Sequence, residues 1–305
     1  MSRGGTTGKQ HVHSGYTIVE VMIFIAVSAF IFLAAITAIG GRQQQVQFSQ
    51  SVREFESRIA DVINDVTTGF YPTNGSISCN VTAADITISA SATPIEIGSN
   101  ESCLYVGKAL QFSPVEGVVS TGTAGDPTKM WIYNLAGRKF TQAGITTVKT
   151  IDEATPAAVA FTNPPLGVSD SVEEVTLRYG VRVTRVFEQL SPSLQETYGF
   201  VGVLSSFEGS NITSPVSSSQ SVQIGGIRSN TVKFDANKSS AIGLINNLTE
   251  DSTQPEGYIN TNSSGIVICL EGDDQRKASV TIGASGDSTV LLQIDDYNIG
   301  CDETI

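Results

Sequence analysis

Few residues of this chain have the types and spacing that catalysis or metal binding requires. Its only histidines, His11 and His13, fall within the first 15 of 305 residues. If that stretch is removed by processing, no imidazole remains for a Ser-His-Asp or Cys-His nucleophile or for a His-ligated zinc ion. Four cysteines, at 79, 103, 269 and 301, show none of the C-x-x-C spacing of a thiolate metal site. The stretch Gly4 to Gln10 fails as a phosphate loop, because Arg3 stands where glycine is required and Gln10 where Ser or Thr is. Asp235, Asn237 and Ser239 alternate as early calcium-loop ligands do, but Ser240 and Asn246 replace the glycine and the glutamate that complete such a loop. The acidic groups Glu271, Asp273, Asp274, Asp295 and Asp296 flank a predicted hairpin and read as a solvated face. Arg178, Arg182 and Arg185 on one strand, with Arg276 and Lys277 elsewhere, form the only candidate basic patch. With 30 acidic against 18 basic residues and a net charge of −12, they read as solvent-facing or subunit-docking charge, and nucleic acid is not an expected partner. No catalytic residue, metal or cofactor is expected.

One acid is different. Glu20 opens a stretch in which Val21 to Ile39 run without a charge before Gly40, Gly41 and Arg42. As a helix these nineteen residues span ~28 Å, close to the thickness of a bilayer core. A carboxylate at the bilayer centre costs about 2.5 to 3.5 kcal/mol and less near an end, so Glu20 is expected to meet a cation. A secretory signal fits poorly, since its apolar region is about 7 to 15 residues and a small-residue cleavage site should follow. A plain N-terminal anchor fits better but gives Glu20 no partner. Arg3 and Lys9 before the span would hold the N-terminus in the cytoplasm in either case.

The string Gly15-Tyr16-Thr17-Ile18-Val19-Glu20 and the uncharged span behind it resemble the N-terminus of the type IV pilin and pseudopilin family. The resemblance implies that a prepilin peptidase cuts between Gly15 and Tyr16 and methylates the new amine of Tyr16. It also implies that Glu20, fifth in the mature chain, meets the N-terminal amine of a neighbouring subunit during assembly. That amine is the cation the physical argument calls for, since two charges each costly in lipid become tolerable when paired. The chain departs from the usual pattern in having Tyr where Phe or Met is commoner, and in having no proline in the span. The implied partners are other pilin subunits, the prepilin peptidase, the assembly platform and the cytoplasmic membrane. A secretion or competence pseudopilin would share these residues, and a membrane-anchored binding or adhesion protein that never polymerises would not need them.

Beyond Arg42, Phe48, Val52, Phe55, Ile59, Val62 or Ile63, and Val66 recur every three or four residues, which predicts an amphipathic helix to about Thr68. Glu54 and Arg58 have the spacing and order of a favourable i,i+4 pair. Gly69 to Pro72 should end the helix. A coiled coil would use the same stripe, but the stripe is short and a candidate sheet follows. The remaining chain is rich in Thr, Ser, Val, Ile, Gly and Asn and reads as strands with long loops.

The clearest strand is Val175 to Val183, where apolar residues alternate. Other expected strands are Ile86 to Ser89, Leu104 to Val106, Met130 to Tyr133, Phe200 to Leu204, Thr231 to Phe234 and Ile266 to Leu270. A terminal hairpin is expected to join residues 279–282 to 289–294. Loops are expected over 205–223 and 246–264. The class is therefore α+β. A leader over 1–15 precedes the membrane half of a helix over 16–41 and its amphipathic half over 42–70. An antiparallel β head follows over 71–305, with a candidate lobe boundary near 205–223.

The head lies outside the cytoplasmic membrane in this orientation, and that compartment favours disulfides. Four cysteines allow three pairings. Their spacing favours Cys79 with Cys103 and Cys269 with Cys301, each bridge being worth ~3 kcal/mol. The second would staple the terminal hairpin, as in many members of the family resembled. Protein recovered from cells is expected to start at N-methylated Tyr16 by intact-mass and N-terminal peptide mass spectrometry. A chain retaining residues 1–15, or cut after Ile39, would count against pilin processing.

Overall fold

The computed structural model describes residues 16–69, 77–81, 86–90, 103–113, 115, 125–141, 146–159, 172–191, 194–205, 222–229, 238–260, 265–283, 290–294 and 301. The chain forms two compact units, Met1–Gln47 and Phe48–Ile305. Helix α1, Ile18–Thr68, supplies residues to both. In the first unit its apolar residues from Ile18 to Ile36 are exposed, and in the second those of the stripe predicted from sequence are buried. The helix stops where glycine allows it. Gly69 takes a left-handed φ of 66° and its N–H donates to the Val66 carbonyl at 3.2 Å, while the Thr67 and Thr68 hydroxyls donate back to the Ile63 and Asn64 carbonyls.

Thirteen strands accompany it among the described residues, all paired antiparallel. Strands β1 (Ile77–Val81) and β2 (Ile86–Ala90) pair only with each other. A six-stranded sheet runs β10 (Val222–Ile227), β9 (Phe200–Ser205), β3 (Cys103–Phe112), β4 (Lys129–Arg138) and β5 (Ala157–Ala158), with β6 (Glu173–Thr176) also on β4. A five-stranded sheet runs β13 (Val290–Ile294), β12 (Lys277–Ile282), β11 (Ile266–Glu271), β7 (Arg182–Ser191) and β8 (Leu194–Thr197).

The helix stripe fills one core with residues from both sheets. Phe48, Val52, Phe55, Ile59, Val62, Ile63 and Val66 cluster with Leu110 and Phe112 of β3, Val201 and Val203 of β9, Val186 of β7 and Ile268 of β11. Phe55 and Phe112 meet edge to face at 6.4 Å. The opposite face of the six-stranded sheet is also covered. There Tyr133, Leu135, Phe200 and Leu204 pack on α2 (Ile151–Ala154) and α3 (Lys238–Ile245). Burial on both faces explains why β9 lacks the alternation of a half-exposed strand. The register of β3 against β4 shifts between Tyr105 and Gly107; Gly107 has φ 149°, and a Cβ there would lie 2.2 Å from the Val203 carbonyl oxygen of β9.

Several sequence expectations meet their elements here. Ile86 to Ser89, Leu104 to Val106, Met130 to Tyr133, Phe200 to Leu204 and Ile266 to Leu270 all lie inside strands, and β12 pairs with β13 as the terminal hairpin. Thr231 to Phe234 lie outside the described residues. Val175 to Val183 is not one strand. The segment ends β6 at Thr176 and turns at Tyr179 and Gly180, both left-handed at φ 57° and 70°; the Val181 N–H donates to the Arg178 carbonyl, and β7 begins at Arg182. Leu177 and Val181 stay buried on either side of the turn, so the apolar alternation persists although the chain reverses and changes sheet. Residues 205–223, read as a lobe boundary, join strands of one sheet, since β9 and β10 pair from Val222 with Ser205 to Ile227 with Phe200. The pair expected between Glu54 and Arg58 is replaced. Arg58 instead holds Glu173 of β6 and reaches Asp61 at 3.7 Å, and Glu54 faces Arg178 at 4.0 Å.

Lys108, on the helix-facing side of β3, is 2% exposed and its ammonium lies 2.5 Å from the Asp65 carboxylate on α1. This pair pins the last helical turns to the sheet in a dry setting, where an ammonium left alone costs several kcal/mol. Asp65→Ala is expected to destabilise the head by about 2 to 3 kcal/mol, reduced from the fully buried case because Asp65 keeps some exposure. Lys108→Met combined with Asp65→Ala should recover most of that loss in urea denaturation.

Candidate functional site

The N-terminal unit is organised by its first helical turn. Thr17 precedes helix α1, and its hydroxyl accepts from the Glu20 backbone N–H at 3.3 Å. This is an N-cap, with Glu20 at the third helical position as in a Thr-x-x-Glu capping box. An acid there is also favoured by the positive end of the helix dipole. The Glu20 carboxylate, however, makes no hydrogen bond or ion pair with any described residue. Behind it Ile18–Ile36 form the one described helix segment long and apolar enough to cross a membrane, and none of it is buried. Tyr16, Ile18, Met22, Phe24, Phe30, Phe32 and Leu33 are each more than 60% exposed, which water does not tolerate over so continuous a surface. In length and composition the segment matches a membrane anchor or a signal sequence. Gly15 lies outside the described residues, and Tyr16 stands exposed immediately before the cap.

Cys269 and Cys301 form a disulfide with their Cα atoms 5.7 Å apart. Cys269 is on β11 and packs with Phe187 and Val267 on the sheet face away from the helix. Cys79 lies in β1 and Cys103 begins β3, and their side chains lie outside the described residues.

The arginines read as a basic patch are dispersed. Arg178 is exposed and faces Glu54, Arg182 donates to Glu271 at 2.8 Å, and Arg185 is buried with its guanidinium 5.1 Å from the Phe187 ring centre. Arg276 is held by Asp274 at 2.7 Å. The acids expected as a solvated face near 271–274 are thus largely consumed by arginines. Asp235, Asn237, Asp295 and Asp296 lie outside the described residues, and among the described residues no group of three or more His, Cys, Asp or Glu is placed to hold a metal ion.

Titration is perturbed in the head at a few points. Thr128 donates side-chain and backbone hydrogen bonds that hold the Asp126 carboxyl below its ordinary value, and burial pushes the Tyr133 phenol up. Burial, and after it the Asp152 carboxylate, hold the Glu250 carboxyl above its ordinary range.

Sequence reading missed Thr17 and Lys108. The Thr-x-x-Glu spacing before an apolar run was available as a signal for the first. A buried lysine has no such signature, because its partner Asp65 is 43 residues away. Matched against protein-family models, curated proteins and solved structures, the chain finds no counterpart.

The shift at Glu250 has a defined sign. A carboxyl whose folded pKa is raised favours folding when protonated, and that contribution is lost as pH rises from the ordinary glutamate value, near about 4.3, through the folded one. Glu250→Gln is therefore expected to raise the urea midpoint at pH 7 and to leave it unchanged at pH values below the ordinary glutamate range.

Proposed function

We propose that this chain is a structural subunit of a type IV pilus-like filament. In this reading it is inserted in the cytoplasmic membrane, cut after Gly15, methylated on Tyr16, and assembled through helix α1 with the head outside. The observation that carries the reading is a fully exposed apolar helix, Ile18–Ile36, with an unpaired carboxylate in its first turn. Lipid covers the apolar surface before assembly, and neighbouring helices replace it afterward by close packing. Glu20 gains its counter-charge from the amine that cleavage creates on the next subunit, which fixes register along the filament. The work is mechanical and adhesive; no catalysis is assigned to it. The size of the head, which exceeds what a fibre subunit needs, favours a large or minor pilin.

The cap supports a second reading. Thr17 and Glu20 would start the helix of a membrane-anchored protein that never polymerises, with the acid acting only on its own helix end. The two readings separate by charge. Glu20→Gln keeps a residue that can complete the capping box but removes the charge, whereas Glu20→Ala removes both. The filament reading expects both variants to insert in the membrane and both to lose incorporation into filaments by about tenfold or more, the scale of a charge left unpaired in low dielectric. The anchor reading expects no polymer from wild type and, in the variants, only a slightly weaker helix start.

A further inference from the structure

Helix α1 and strand β6 enclose a groove of 420 Å³ on the head, lined on the helix side by Glu54, Phe55, Arg58 and Asp61 and on the strand side by Glu173 to Arg178. Its lining holds four acids, Glu54, Asp61, Glu173 and Glu174, against two arginines. Glu173 is engaged by Arg58, and Glu174 by Lys129 at 2.5 Å. The other two acids are loosely held. Glu54 is 4.0 Å from Arg178 and Asp61 is 3.7 Å from Arg58, with side chains 54% and 61% exposed. They lie seven residues apart on one side of the helix, about 10.5 Å along its axis. An exposed acidic ledge over an apolar floor of Phe55, Val175 and Leu177 results.

The same helix carries the complementary charge on a different side. Arg53 is exposed and makes no ion pair with any described residue, whereas Arg58, Lys108, Lys129, Arg178, Arg182 and Arg276 each hold a carboxylate. At about 100° per residue Arg53 sits about 100° from Glu54 and about 80° from Asp61 around the helix, too far for its own ledge to be reached along the helix surface. Between them the exposed side holds Ser57, with Ala60 nearby, so a second helix can approach closely.

We propose that this groove is a contact between copies of the chain, in which a second copy's Arg53 seats between Glu54 and Asp61. The inference rests on the subunit reading above and names a contact in the head that the reading leaves open. The two surfaces are different and lie about a quarter-turn apart on one helix, so each copy offers its arginine to one neighbour and its acids to another. That is a heterologous contact, which propagates instead of closing as a twofold dimer. A bidentate guanidinium between two carboxylates fixes orientation as well as proximity.

Full-length chains carrying Arg53→Cys and Asp61→Cys, each with its own tag, are co-expressed and oxidised in membranes. A mixed disulfide-linked dimer is expected at about tenfold excess over the link formed by either variant alone, because the proposed heterologous contact brings position 53 of one copy to position 61 of another and not to another position 53. Equal linkage from Arg53→Cys alone, or no mixed link, overturns the proposal. As a second measurement, Arg53→Asp should lower the recovery of assembled protein and Asp61→Arg in the same chain should restore it; Arg53 is outside the core, so folding is not at stake. Normal assembly of Arg53→Asp sinks the contact and leaves the filament reading intact. A mixed link in membranes from which no filament is ever recovered keeps the contact and sinks the filament reading.

Discussion

Seven large apolar side chains, from Phe48 to Val66, leave water on one face of a single helix, and the inner faces of both sheets close over them. Each is worth about 1.5 to 3 kcal/mol when fully buried, so the stripe is a large part of what holds the two sheets together. The strands are cut to fit this stripe. β3 and β9 approach through Gly107, β6 and β7 reverse through Tyr179 and Gly180, and the Lys108 to Asp65 pair fixes the rotation of the helix at its far end. The head therefore cannot be separated from the helix segment that begins at Phe48.

The same helix faces the opposite demand nearer its start. From Ile18 to Ile36 no described residue covers its side chains, and so continuous an apolar surface calls for lipid or other helices around it. Glu20 is the single charge in that surface, and its own cap at Thr17 uses only its backbone N–H. The carboxylate thus has no partner among the described residues. Subunit assembly, the function proposed above, would answer both needs together.

Much of this was legible in sequence because it depends on local period. The stripe from Phe48 to Val66, the stop at Gly69, five of the strands and the terminal hairpin follow from spacings of two, three or four residues and from turn chemistry. Errors came where pattern and path diverge. Val175 to Val183 alternates like a strand because a two-residue left-handed turn returns Leu177 and Val181 to the same core. Arg58 abandons Glu54 for Glu173, a partner 115 residues away that no local rule can supply. For the same reason the basic patch dissolved. Arg178, Arg182 and Arg185 are close in sequence, but the turn and the strand send them to Glu54, Glu271 and Phe187. The division of strands between two sheets is likewise a non-local fact.

The bond between Cys269 and Cys301 ties two residues that are 32 apart in sequence and encloses both β12 and β13. β13 lies at the edge of its sheet, where a chain under tension would ordinarily peel away one hydrogen-bonded rung after another. The crosslink reroutes that load. Force reaching Cys301 passes directly into β11, a strand held on both sides by β7 and β12, and bypasses the hydrogen-bonded rungs of β13.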